Sequence, residues 1–213
     1  YLPKDIVSGD FYSFSQKNDK VIIAAADCTG HGVTGAFMSM IGTSVLNQII
    51  NENGVTEPAQ ILKNLNAGII DALKQSEGEK EIHDGMDIAL CSLDLKNSTL
   101  KYAGANRPLW IFKNGEMTMI KPAKSAIGGY QSARKEEFSQ HEIPVSKGDT
   151  IYLFTDGYAD QFGGPEGKKF LSKRFREILK EIQPLSMIEQ QKYLLKAFHD
   201  WKGNVEQVDD VLV

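Results

Sequence analysis

The chain is poor in cysteine, with Cys28 and Cys91 alone among its 213 residues. Two cysteines make no disulfide framework and no zinc-binding spacing. A reducing, cytoplasmic setting is the default expectation for such a chain. Long apolar runs are missing too. The longest, Val21-Ile22-Ile23-Ala24-Ala25-Ala26, falls far short of the ~20 residues of a membrane-spanning helix. No succession of basic, apolar and small residues opens the chain as a secretory signal would. Positive charge is not in excess: 24 Lys+Arg against 28 Asp+Glu leave a net charge of -4, with no Lys/Arg stripe. That argues against nucleic acid as the main partner. No repeat, low-complexity tract or linker divides the sequence. What is present is ordinary globular composition, 41% hydrophobic and 24% charged, enough to sustain one core. The chain opens at Tyr1 and stops inside the apolar run Val211-Leu212-Val213. We therefore expect a single domain, residues 1–213, cut from a longer sensor-containing protein.

Residue patterns predict the elements. Phe11 to Gln16 and Lys20 to Ala26 read as strands joined by Lys17-Asn18-Asp19, which is turn chemistry. Gly30 to Gly35 breaks this pattern and opens a helix, with Val33, Ala36, Phe37, Met40, Ile41 and Val45 on one stripe. A second helix starts near Pro58, with Ile61, Leu62, Leu65, Ile69 and Leu73 as its buried stripe. Strands follow at Met86–Leu95, Thr99–Tyr102, Leu109–Lys113 and Glu116–Ile120, the last two joined by Asn114-Gly115. Phe138–Ile143 and Thr150–Thr155 continue the series. A helix from about Phe170 to Ile182 stops at Pro184. Ser186 and Glu189 form a capping box for a last helix, which Gly203 ends. Val208 to Val213 reads as the closing strand. Helices come in blocks rather than alternating with strands, which excludes a doubly wound parallel sheet. The expected class is α+β, a sandwich of helices layered over antiparallel sheets.

Four of the acids stand apart from the solvated surface charges. Asp10 follows Gly9 at the start of the first strand, and Asp27 ends the second. Asp156 ends Ile151-Tyr152-Leu153-Phe154-Thr155, and Asp209, beside Asp210, lies within an apolar stretch. With a turn on Asn18-Asp19, counting places Asp10 opposite Asp27. Directly opposed like charges destabilise a sheet, and burial would raise their pKa values. No Lys or Arg flanks either aspartate, so a bound cation is the simplest resolution. Oxygen ligands without a His or Cys cluster suit Mg²⁺ or Mn²⁺ rather than Zn²⁺. The plainer reading is that Gly-Asp and Asp-Gly pairs only serve turns. A one-residue shift of the hairpin would also part the pair.

Gly30-His31-Gly32-Val33-Thr34-Gly35 matches the dinucleotide-binding fingerprint in outline. The strand before it is hairpin-paired, however, and no strand ending in an acid follows about twenty residues on. A helix N-terminus there still favours an anion. Carboxylate-held cations suit phosphate ester hydrolysis by an in-line water. No serine sits in a G-x-S-x-G elbow, and neither cysteine has a catalytic setting. His31 is the histidine nearest this chemistry, either as proton donor to a leaving group or as a shaper of the loop. His83, His141 and His199 read as surface or structural residues.

Ser8-Gly9-Asp10-Phe11-Tyr12, Ala26-Asp27-Cys28-Thr29-Gly30-His31-Gly32, Ala103-Gly104-Ala105-Asn106-Arg107-Pro108, Thr155-Asp156-Gly157 and Asp209-Asp210 occur in the order of a known family. The chain resembles the SpoIIE/RsbU branch of the bacterial metal-dependent serine/threonine phosphatases of the type 2C-like (PPM) superfamily. That resemblance implies a four-layer αββα sandwich with a centre of two Mn²⁺ or Mg²⁺ ions. It implies that Asp27 bridges both ions, that the Cys28 carbonyl binds one, and that Asp156 and Asp209 bind the other. Asp10 matches a position that binds metal directly or through water. It implies phosphoserine or phosphothreonine substrates on small regulatory proteins, of the STAS-like anti-sigma-antagonist type, and dimerisation as a form of control. Departures are visible: His31 lies four residues after Asp27 rather than two, Leu212 stands where threonine is common, and the phosphate-gripping arginine of the better-known enzymes has no counterpart, Lys4 being near its place. Two alternatives share these residues: a non-catalytic partner-binding relative, and a hydrolase of small phosphate esters.

Overall fold

The computed structural model describes residues 1–75, 84–129 and 137–213. In chain order it forms β1 (Asp10–Lys17), β2 (Lys20–Cys28), α1 (Gly32–Asn47), α2 (Pro58–Ala72), β3 (Gly85–Asp94), β4 (Thr99–Ala105), β5 (Leu109–Lys113) and β6 (Glu116–Ile120). Then follow β7 (Ile127–Gly128), β8 (His141–Pro144), β9 (Thr150–Tyr152), α3 (Gly157–Asp160), β10 (Phe162–Gly163), β11 (Lys168–Lys169), α4 (Ser172–Glu181) and α5 (Met187–Lys202). One antiparallel sheet runs in the order β1-β2-β3-β4-β8, with β7 beside β3. A second runs β6-β5-β9, and β10 and β11 form a separate hairpin.

Period-two alternation assigns the faces. On β3, Met86, Ile88 and Leu90 join α1 and α2 in one buried cluster with Leu46, Ile61, Leu65 and Ile69. The intervening Ala89 and Cys91 face the other way and meet Tyr102, Leu109 and Ile151 between the two sheets. Beyond the second sheet, Trp110, Phe112 and Tyr152 pack against Phe175 and Leu179 of α4 and Leu194 and Phe198 of α5. Three apolar clusters thus separate four layers, the αββα sandwich of an α+β protein.

Local chemistry explains the element ends. Asn18, at φ 54°, and Asp19 make the β1–β2 turn. Asn114 and Gly115, at φ 50° and 80°, make the β5–β6 turn. Ser186 and Glu189 cap α5 reciprocally. Three expectations need correction. Val208–Val213 is not a strand: it makes one bridge, Val211 to Leu2. Side chains take its ladder bonds, since the Leu212 N–H donates to Thr155 Oγ1 and the Asp210 N–H to Asp209 Oδ1. The strand expected at Phe138–Ile143 is confined to β8, and that at Thr150–Thr155 to β9. The apolar stripe of α1 divides, with Ile41 and Val45 packed against the core and its other large members outside it. Gly35, Met38, Gly42 and Leu46 are buried, whereas Val33, Phe37 and Met40 are 62–68% exposed. Small residues mark the packed face here, because a methyl group at Gly35 would run into the Gly9 backbone. Counted with the π-helical turn that continues it, Gly32–Glu52 is long and apolar enough to cross a membrane by length and composition. Glycine, serine and threonine interrupt its apolar runs without making it polar, and in this fold it packs on β1 and α2.

Candidate active site

Hairpin register builds the first part of the site. Asp10 pairs with Asp27 across β1 and β2, as counting from the turn predicts. Asp27 in turn pairs with Asp87 across β2 and β3. Paired residues share a face, so three carboxylates stand in a row at one end of the sheet, on the side turned to the second sheet. Asp10 is 3% exposed.

The other acids arrive by different routes. Asp156 closes the segment after β9 and precedes α3. A side chain at Gly157 would overlap the Asp210 carbonyl, so glycine permits the close approach of the Asp209-Asp210 segment. The Thr155 N–H donates to the Leu212 carbonyl at 3.0 Å and fixes the same approach. Asp210 turns inward and accepts the Lys4 and Gly9 N–H groups, each at 2.8 Å. Asp209 beside it accepts the Asp210 N–H at 2.9 Å and lies close enough to Asp156 for the two charges to act on each other.

These groups lie close enough for their charges to act on one another. Burial raises Asp10 to about 7, reinforced by Asp210, Asp209 and Asp156 and eased by the Thr155 hydroxyl, which donates to it at 2.6 Å. Burial also pushes Asp27 up, opposed by Arg107 and reinforced by Asp10, Asp156 and Asp209. Asp87 and Asp209 are raised chiefly by burial as well. Carboxylates held so far from water call for cations.

One cation is already present, contributed by a residue that the sequence showed only inside the motif at residues 103–108 and to which it gave no role. Arg107 Nη2 donates to Asp27 Oδ2 at 2.6 Å and to Asp156 Oδ2 at 2.7 Å, and lies 3.5 Å from Asp87 Oδ2. The turn between β4 and β5, which passes from one sheet to the other, delivers it. Asn106 adopts φ 57° there, its side chain donates to Asp87 at 2.8 Å, and Tyr102 Oη donates to the Arg107 carbonyl at 2.5 Å. No Lys or Arg flanks Asp27 in the sequence, and the cation that meets it, Arg107, comes from 80 residues away. Among the described residues, no three His, Cys, Asp or Glu side chains surround one point ready-made. Asp27 and Asp156 converge on the guanidinium instead. Asp87 left one signal in the sequence, a lone acid in an apolar strand between Met86 and Ile88.

The remaining candidates sit as follows. His31 caps α1, with Nδ1 2.9 Å from Asp5 and Nε2 3.0 Å from the Lys4 ammonium. With Lys4 donating, Nε2 is an acceptor, and the ring ties the glycine loop to the N-terminal segment. Cys28 ends β2 beside Asp27, and burial pushes its thiol and that of Cys91 up, so neither is a ready nucleophile. His141 stacks on Tyr102, and His199 lies on α5. His83 lies outside the described residues.

Comparison with known proteins bears on the fold and the family. The family model described as Stage II sporulation protein E (SpoIIE) matches residues 17–213. The phosphoserine phosphatase RsbU of Bacillus subtilis is 28% identical over 165 residues, which is 75% of this chain and 45% of that protein. The chain therefore spans less than half the length of this curated relative. The solved SiaA-PP2C domain of Pseudomonas aeruginosa is 32% identical, with a TM-score of 0.88 over 99% of this chain and 80% of that one. The PP2C phosphatase domain of SpoIIE from Bacillus subtilis, solved with a fragment of its regulatory domain, shares the fold at 20% identity. Its TM-score is 0.74, over 99% of this chain and 57% of that one.

Proposed function

This chain belongs to the SpoIIE family, and on that premise we propose that it is a metal-dependent serine/threonine protein phosphatase. The observation that carries this reading is the convergence of Asp10, Asp27, Asp156 and Asp209, remote in sequence, at one end of the sandwich. The donor set fits a hard divalent cation, because every side chain in it offers oxygen. Asp10, Asp27, Asp156, Asp209 and the Cys28 carbonyl would hold two Mn²⁺ or Mg²⁺ ions. When bound, such ions neutralise phosphoryl oxygens and acidify the water that attacks phosphorus.

The chain's own residues prepare that site. Thr155 orients Asp10, and Asp210 anchors the segment that carries Asp209. With both thiols buried and unready, displacement by water needs no covalent enzyme intermediate. Once Lys4 releases Nε2, His31 would take up there a proton shed by the attacking water and hand it to the leaving serine or threonine oxygen. The substrate in this reading is a small phosphorylated regulatory protein of the STAS type. Residues 1–213 act as one domain within a larger cytoplasmic sensor protein, and self-association adjusts its activity.

The test is hydrolysis of a generic phosphate ester and of a panel of phosphorylated STAS-type proteins, with Mn²⁺ and with chelator. Turnover should vanish on chelation. Asp27→Asn should lower it by at least about a hundredfold while circular dichroism stays unchanged. Chelator-insensitive turnover or a fully active Asp27→Asn variant would overturn the reading. Activity confined to the small ester would remove the protein substrate.

A further inference from the structure

Arg107 does something unusual for a buried guanidinium. All of its contacts with the carboxylates run through one nitrogen, Nη2. Its Nε is buried and makes no hydrogen bond among the described residues. Arginine buried among carboxylates ordinarily pairs through two parallel N–H groups. Here it is held end-on, with one edge unused. Its backbone, in contrast, is fixed: Tyr102 holds the carbonyl, the Arg107 N–H donates to the Ala105 carbonyl at 2.7 Å, and Pro108 follows. Motion at this point therefore falls to the side chain.

We infer that Arg107 is an internal counter-cation which divalent metal displaces, and that the released guanidinium takes hold of the substrate's phosphate. The inference rests on the reading of Asp27 and Asp156 as metal ligands. One nitrogen sits within 2.7 Å of an oxygen from each. A divalent ion bound to those same oxygens would meet a guanidinium at contact distance. Two cations so close in a poorly solvated site repel strongly. Loading of metal and departure of Arg107 are therefore one exchange. A partly buried guanidinium that leaves its carboxylates must find another anion. Through the unused Nε edge, a phosphate dianion beside the ions offers the planar, two-point partner that guanidinium suits. Arg107 would keep the metal-free carboxylates from repelling one another, and later hold phosphate, whereas Lys4 is engaged with His31.

Calorimetric titration with Mn²⁺ tests the exchange without turnover. Arg107→Met should bind Mn²⁺ about tenfold more tightly than wild type, the low end of what a metal ligand's partner controls. In the Mn²⁺-loaded protein, inorganic phosphate should inhibit Arg107→Met about tenfold more weakly, and KM should rise more than kcat falls. Arg107→Lys keeps the charge and loses the planar fork. It should retain near-wild-type Mn²⁺ affinity, stay folded if the methionine variant does not, and still bind phosphate weakly. If Arg107→Met binds Mn²⁺ no more tightly than an active wild type, the exchange is refuted and the phosphatase reading stands. Unchanged inhibition by phosphate in both variants refutes the second half. Failure of every form to bind Mn²⁺ overturns the metal reading and the exchange together.

Discussion

Asp10 and Asp210 are buried equally, at 3% and 2% exposure, and act on the same cluster of charge. Their surroundings differ. Asp210 accepts two backbone N–H groups, one to each oxygen, and so closes the N-terminal segment onto the C-terminal one. Asp10 receives one side-chain donor, the Thr155 hydroxyl, and is pushed up to about 7. The first carboxylate is satisfied by the fold alone. The second, on an edge strand beside β2, is left short of partners. Folding solves the problem of a buried charge in one case and keeps it open in the other, and an open charge is what a ligand can close.

The largest expected effect comes from the satisfied member. Asp210→Ala orphans two N–H groups at the Lys4 and Gly9 positions, and should cost about 2–6 kcal/mol at roughly 1–3 for each. Urea denaturation in chelator measures it. Asp210→Asn keeps acceptor capacity and should lose less than the alanine variant. Equal losses would mean that the charge of Asp210, rather than its bonds, does the anchoring.

Asp10→Asn should behave in the opposite sense, and only above acid pH. The folded pKa of Asp10, about 7, lies above its unfolded value of 3.8, so the native state binds the extra proton in between. Metal-free stability must then fall as pH rises through that window. The variant lacks this loss. It should match wild type near pH 4 and exceed it by up to about 4 kcal/mol at pH 8, at about 1.36 kcal/mol per pKa unit. Saturating Mn²⁺ should reverse the order, because only wild type gains the full ligand set. A variant less stable than wild type in chelator at pH 8 would make Asp10 a structural acid like Asp210.

The two aspartates also mark what could be read from the chain. Asp10 opposite Asp27 was countable, because a two-residue turn fixes register at short range. The sandwich of helices over antiparallel sheets followed from helices arriving in blocks between hairpin-joined strands, whereas the count of four layers came only with the family resemblance. Asp87 pairs with Asp27 just as directly, yet α1 and α2 intervene, and no turn carries the count across them. Arg107 was hidden for a related reason. Its contacts depend on where the β4–β5 turn passes between sheets; the motif at residues 103–108 marked that turn, and Asn106 tolerates its φ of 57°, but neither shows which carboxylates the side chain reaches. The buried face of α1 escaped because hydrophobic periodicity weighs large side chains, whereas Gly35 and Gly42 were the positions that touch. The closing strand failed because hydroxyl and carboxylate groups supplied bonds that a ladder would have used.

Thr155 links the two aspartates and gives the smallest predicted effect. Its hydroxyl donates to Asp10 Oδ2 and accepts the Leu212 N–H at 3.0 Å, three residues from Asp209. Thr155→Val keeps the shape and removes both bonds. It should cost about 1–3 kcal/mol, mostly for the orphaned Leu212 N–H. The lost hydrogen bond also removes the influence that lowers Asp10, so its pKa should climb further. Metal-free stability should then keep falling with pH above 7, where the wild-type curve has levelled. A Thr155→Val profile that is merely lower at every pH, with no extension of that window, would show that Asp10 draws nothing from the hydroxyl. The contrast with Asp210 would then be larger still, since Asp10 would have no effective partner within the fold.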